Sequence, residues 1–468
     1  MRHPEPFSRE AKASRSRARS RHCPRPTAVR FYYLAAFVAT FAVGTASRCH
    51  AEDDFERPPI EYTRSTPHNR VADLISRLDS GEQKLDFDNN LGYLPALLKA
   101  THVPISSQML VFSKTSLQRA RISPRTPRAV YFNDDTYIGY CRNGDVLEVA
   151  AIDPQLGTVF YTVDQKKTDA AHIQRQTENC LVCHSSSRSE SVPGLLARSL
   201  FTSKSGEPLL SAGGYTVDYT TPLEHRWGGW YVTGTHGKQK HLGNLVVATS
   251  EVHEPVDNST GENLTSLSER FATDHYLAPH SDIVALMVLE HQTTMHNRIT
   301  RANFEARSAL YYQTEINRAL GEPATNRLES VTHRIQNAGD KLVDALLFVD
   351  EAPLTDEIRG TSTFAAEFAA RGPRDSHGRS LRDFDLKTRL FQYPCSYLIY
   401  SPSFDALPEE MRAYVWQRLW DVLTGKLKEP RFDHLTPADR LAIAEIVQQT
   451  KPQVPSYWQS DTVANATQ

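Results

Sequence analysis

The chain of 468 residues carries 53 Lys and Arg against 55 Asp and Glu. That balance comes from the first 51 residues, which hold ten basic and two acidic side chains; the remainder holds 43 basic and 53 acidic, a net charge of −10. An acidic chain with no basic stripe interleaved with aromatics offers nucleic acid no electrostatic footing, so that class of partner is set aside.

Nine Lys or Arg fall within residues 1–30, and an apolar stretch from Phe31 to Val43 follows directly. The pattern reads as a secretory signal peptide over 1–51 with a cut after Ala51, because the apolar run is shorter than the about 20 residues of a membrane-crossing helix. Arg48 stands before Cys49 where a lipoprotein would need a small residue. The mature protein is therefore expected in the periplasm or elsewhere in the cell envelope, with membrane association only if the leader stays uncleaved.

The length beyond the leader allows two or three domains at roughly 100 to 200 residues each. Residues 52–128 read as an irregular and helical N-terminal segment. From Ala129 to Asp164, β-branched and aromatic runs are separated by turn signals at Asn133-Asp134-Asp135, Asn143-Gly144-Asp145 and Asp153-Pro154, which predicts a meander of short strands. Residues 170–179 predict a helix. A second strand-like group comprises Gly214 to Tyr219, Gly229 to Thr233 and Leu245 to Ala248, so that 129–250 reads as one β-rich region. Beyond Glu262 the periodicity turns helical: segments over 281–320, 327–349, 408–423 and 437–450 make a helical domain over 262–452. Ser281 and Asp282 stand where the long helix needs a cap, and Gly321 with Pro323 ends it. The tail, 453–468, is polar and reads as flexible. The fold class is α+β, a mainly helical C-terminal half packed against a short-stranded β region.

Between the two strand groups lies Cys180-Leu181-Val182-Cys183-His184, a C-x-x-C-H pentapeptide. A bare C-x-x-C equally suits a redox dithiol or half a zinc site. Zinc would need two more ligands, and the nearest pair at finger-like spacing, His236 and His241, begins 53 residues after Cys183. The pentapeptide resembles the haem attachment motif of c-type cytochromes: two thiols spaced to meet the two vinyl groups of one porphyrin edge, and an imidazole next to them for the iron. The resemblance implies one haem c, covalently held by Cys180 and Cys183 with His184 as an axial iron ligand, in a cytochrome c-like segment between the strand groups. Dihaem peroxidases carry two such motifs, and this chain has one.

The far axial side decides what such an iron does, since a strong second ligand favours electron transfer and an open position admits small molecules. Ile283, Met287, His291, Met295 and Ile299 recur every four residues on one helix face, making His291, Met287 or Met295 the candidates for that position. The competing reading of His291 is a core histidine held by a hydrogen bond. Glu290 borders the stripe and is either a solvated residue or an orienting carboxylate. The aromatic cluster His225-Arg226-Trp227-Gly228-Gly229-Trp230-Tyr231 reads either as a haem wall, with Arg226 on a propionate, or as a hairpin with a Trp core. Arg382, Asp383, Asp385, Lys387 and Arg389 read either as buried polar packing or as a contact to a propionate or substrate. Cys141 and Cys395 either bridge or stay as two buried thiols. Together these readings give an exported monohaem cytochrome with electron transfer activity, served by a redox partner protein or a small-molecule donor or acceptor. The alternative is a peroxidase-like haem oxidoreductase with an open distal site.

Overall fold

The computed structural model describes residues 54–247 and 256–460. The expected signal peptide over 1–51, Ala248 at the end of one expected strand, and the end of the expected tail lie outside them.

Two helices open the described chain: α1 (Arg70–Asp79), whose N-cap Asn69 accepts from the amides of Val71 and Ala72, and α2 (Leu94–Ala100). Six strands follow, β1 (Met109–Val111), β2 (Arg128–Phe132), β3 (Thr136–Tyr140), β4 (Val146–Asp153), β5 (Gly157–Asp164) and β6 (Ile173–Gln176), each antiparallel to the next in a six-stranded sheet. The expected turns work through side chains that mimic backbone. Asn133 accepts from the amides of Asp135 and Thr136, and Asp153 accepts from those of Gln155 and Leu156.

The helix expected over 170–179 is instead strand β6. Its four residues pair with β5, Val163 opposite Ile173, and Arg175 donates to the carbonyls of Tyr62 and Ser65. A partner edge and a clamp from the N-terminal segment outweigh local helix preference here.

A single helical turn, α3 (Leu181–His184), carries the pentapeptide, and a two-stranded ribbon of β7 (Ala197–Leu200) and β8 (Gly214–Val217) follows. Gly229 to Thr233, expected as a strand, makes only isolated bridges, Val111 to Trp230 and Thr233 to Asp282. Trp227 and Gly229 both adopt positive φ, which bends this stretch away from a ladder.

The second half is mainly helical, with α4 (Ile283–Leu320), α5 (Glu329–Leu346), α6 (Phe364–Ala370), α7 (Pro402–Asp405), α8 (Glu409–Leu423) and α9 (Pro437–Thr450). Asp282 caps α4 by accepting from the amides of Val284 and Ala285, and Gly321 ends it with φ +70°. Every residue from Ile283 to Thr293 is buried, so α4 enters the core as a central rod rather than an amphipathic surface helix. Strand residues such as Val149 and Phe160 and helix residues such as Leu289, Leu346 and Trp416 belong to one hydrophobic cluster. Among the described residues no helix is long and apolar enough to cross a membrane.

Candidate functional site

One face of the sheet forms the floor of a cleft. Because side chains alternate along strands, Arg128 and Val130 on β2, Tyr137 and Gly139 on β3, Glu148 and Ala150 on β4, and Phe160 and Thr162 on β5 all point the same way, and the register places Gly139 opposite both Val130 and Glu148. Opposite this floor stand α3, the loop residues Leu195 and Leu196, Trp230, and Leu289 with Thr293 from α4. The cleft holds a cavity of about 320 Å³ and opens to solvent at one end. That lies at the lower end of the size of small-molecule sites.

Cys180, Cys183 and His184 all line this cleft. The turn of α3 brings them to one side: the His184 amide donates to the Cys180 carbonyl at 3.0 Å, and residues three and four apart are neighbours on a helix. Both thiols are free. Burial pushes the Cys180 thiol up to about 11, with the carboxylate of Glu148 and the other thiol adding to the shift, so it waits as a neutral thiol. Val182 between the cysteines is 81% exposed, which places α3 at the mouth.

His184 is held by an arrangement that leaves one ring nitrogen for use. Its Nδ1 donates to the Gly194 carbonyl at 2.9 Å, which leaves the lone pair on Nε2. Burial lowers its pKa, which keeps the ring neutral. Its ring packs 4.9 Å from that of Phe160. The loop supplying the carbonyl is itself gripped by Asn297 of α4, whose Oδ1 accepts from the Leu195 amide at 2.9 Å while its Nδ2 donates to the Leu195 carbonyl at 2.8 Å. A Cβ at Gly194 would sit 2.3 Å from Asn297 Oδ1, so glycine permits this close approach.

Of the far-side candidates, none lines the cleft. His291 is fully buried, with Nε2 2.8 Å from Ser396 Oγ and its ring stacked on Phe348 at 4.3 Å. Burial drives its pKa down to about 3. Met287 and Met295 are core residues, and the same helix gives the cleft Leu289 and Thr293 instead. Glu290 pairs with Arg226 at 2.9 Å, both nearly inaccessible, so that guanidinium is already engaged. Burial pushes Glu290 up to about 7 against the pull of Arg226. Within the aromatic cluster, Trp230 reaches the cleft while Trp227 packs against His241. Arg382 pairs with Asp134 and lies over the rings of Phe368 and Tyr397. Cys141 and Cys395 are both buried and free.

Sequence reasoning passed over Arg128, Gly139, Glu148 and Asn297. Arg128 and Glu148 were detectable, because Arg128 opens the apolar run Ala129 to Phe132 and Glu148 interrupts one between Leu147 and Val149; Asn297 gives no signal by type or spacing. The chain matches no protein-family profile, no curated protein and no solved structure.

Proposed function

We propose that the chain is an exported monohaem c-type protein that moves electrons, with Cys180 and Cys183 attaching haem c and His184 ligating its iron. The observation that carries this reading is that two free thiols and an imidazole whose Nδ1 is engaged by the Gly194 carbonyl line one cleft. The donor set fits a haem better than a bare ion. Among the described residues no three His, Cys, Asp or Glu side chains gather around a metal-sized point, as zinc would require. A haem asks instead for thiols spread along one ring edge.

When bound, the haem supplies reversible one-electron chemistry. The chain's own residues then have distinct tasks. Gly194 fixes the imidazole tautomer, Asn297 fixes Gly194, and the apolar floor around Val130, Ala150 and Phe160 excludes water. The basic leader followed by an apolar run supports export, and an envelope redox protein or a small-molecule donor or acceptor completes the electron path.

One observation favours the oxidoreductase alternative. His184 is the one imidazole among the residues lining the cleft, and no Met or Lys lines it. The phenols of the two lining tyrosines, Tyr137 and Tyr161, are engaged by Gln292 and Asn69, so an iron held by His184 would find no free imidazole, thioether or phenol among the residues lining the cleft, which would suit a small-molecule substrate. Optical titration of the haem-matured chain tests both parts: reversible reduction supports redox function, and a high-spin ferric spectrum that shifts with cyanide supports the open site. A protein that cannot be reduced and reoxidised would overturn the proposal.

A further inference from the structure

Inside the cleft, Arg128 and Glu148 cancel each other in an ion pair at 2.7 Å. Beside the cleft lie two arginines without an acidic partner among the described residues. Arg198, on β7, borders a closed gap whose other walls include Trp230 and Leu289, and both of those side chains also line the cleft. Its backbone carbonyl accepts from Trp230 Nε1 at 2.8 Å, which ties the strand to that wall. Its Nε is buried without a partner. Burial and then the repulsion of Arg188 lower its pKa, and Cys183 acts against them. Arg188 stands on the turn after α3, at a hollow shared with Leu195 and Leu196, which belong to the same wall of the cleft. It is exposed, and the acid nearest to it in sequence, Glu190, is taken by Arg298 at 2.8 Å.

Two guanidiniums that repel each other gain from an anion placed against both. The rest of the molecule is of the opposite sign, since residues 52–468 carry a net charge of −10. A positive spot on an acidic molecule steers anions to one place. That place is the mouth of the cleft at Cys183, which is exposed, next to Val182, which is 81% exposed. A haem joined to Cys183 has that edge near solvent, where an electron crosses most readily. Glu56 and Glu178 border a separate hollow with Leu181 and Val182, and Thr63 donates to Glu56 through both its amide and its hydroxyl. The Cys183 side is left to the cations.

We propose that Arg188 and Arg198 form the docking contact for a redox partner protein that presents carboxylates to the Cys183 edge. This rests on the haem reading above and specifies the partner's chemistry. The exposed face of Val182, Cys183 and Arg188 suits a protein surface, and the free Nε of Arg198 is a donor that a carboxylate satisfies. The acids beside Val182 give the contact a second sign, which fixes the partner's orientation.

The experiment uses the full haem-matured chain in its ferrous form, from which one electron passes to an added oxidant. Ferricyanide, an anion, and tris(phenanthroline)cobalt(III), a cation, are each mixed with the wild type, with R188Q/R198Q, and with K426Q/K428Q, which removes the same charge from the turn after α8. At low ionic strength, R188Q/R198Q is expected to be oxidised by ferricyanide more slowly by roughly threefold or more and by the cobalt complex faster, with both effects lost at high salt. K426Q/K428Q is expected to change either rate by less than about twofold. Polyglutamate, standing in for an acidic surface, is expected to slow ferricyanide oxidation of the wild type and to leave R188Q/R198Q unaffected. Unchanged rates in R188Q/R198Q, rates that move together for both reagents, or equal effects in K426Q/K428Q would overturn the assignment. Polyglutamate without effect on the wild type would overturn it as well. Absence of haem from the intact mass would instead strike the underlying reading.

Discussion

Asn297 shows how a residue remote from the chemistry sets its geometry. It makes two hydrogen bonds to Leu195 and so places the Gly194 carbonyl against His184. Asn297→Ala leaves both backbone groups of Leu195 buried without those partners and is expected to cost about 1–3 kcal/mol in chemical denaturation. In the haem-matured protein the same change loosens the imidazole and alters the iron–histidine vibration, which resonance Raman reads. Gly139→Ala acts on the cleft floor. Its methyl group must displace the Arg128 guanidinium, at an expected cost of about 1–3 kcal/mol, while the charge of the pair is retained. Thermal melting measures the first effect. His291 was legible as a buried histidine, since its stripe of apolar neighbours demanded a partner; that the partner is Ser396, 105 residues away, was not, because local periodicity carries no information about a distant chain.

At the scale of elements, the strands β2 to β5 and the helices α4, α5, α8 and α9 were legible because pattern and punctuation agree there. Asp282 is the clearest case. Beyond capping α4, its second carboxylate oxygen accepts from the amides of Thr361 and Ser362, each at 2.8 Å, and from Ser362 Oγ at 2.7 Å. The cap was readable from sequence and the cross-link to the segment before α6 was not. Asp282→Ala is therefore expected to exceed an ordinary cap loss, at about 2 kcal/mol or more, measured by equilibrium unfolding. The misread helix before the pentapeptide has a similar origin. Ile173 to Gln176 has no strong strand composition, and only the exposed edge of β5 with the Arg175 clamp makes it a strand. The cleft itself was invisible in the sequence, since its floor comes from four strands whose shared face depends on their register.

For the whole molecule, burial of titratable groups in one core predicts a distinct response to acid. Burial lowers His291 and His241 to about 3 and His296 to about 4. These rings stay neutral when folded and take up protons when unfolded, so the stability they carry is present above about pH 6.5 and is lost as pH falls toward their folded values. Glu290 and Glu351, pushed up to about 7, act in the opposite sense between about pH 4.5 and 7, where the folded state holds protons that the unfolded chain has released. Stability is therefore expected to fall gently from pH 6.5 to 4.5, where the two sets oppose each other, and steeply below 4.5, where the histidines are joined by carboxylates held below their ordinary values, such as Asp135 and Asp439 beside Arg70 and Arg389. Urea midpoints measured across that range test this, and a midpoint flat down to pH 4 contradicts it.

The central claim concerns a covalent bond, and intact mass reads it directly. The chain is produced with a haem-attachment system, extracted under denaturing conditions that strip unattached porphyrin, and weighed beside a C180S/C183S variant. The account predicts that the wild type retains the mass of one haem and the variant retains none. A wild-type chain emerging at its bare polypeptide mass, or a variant that still carries haem, would contradict it.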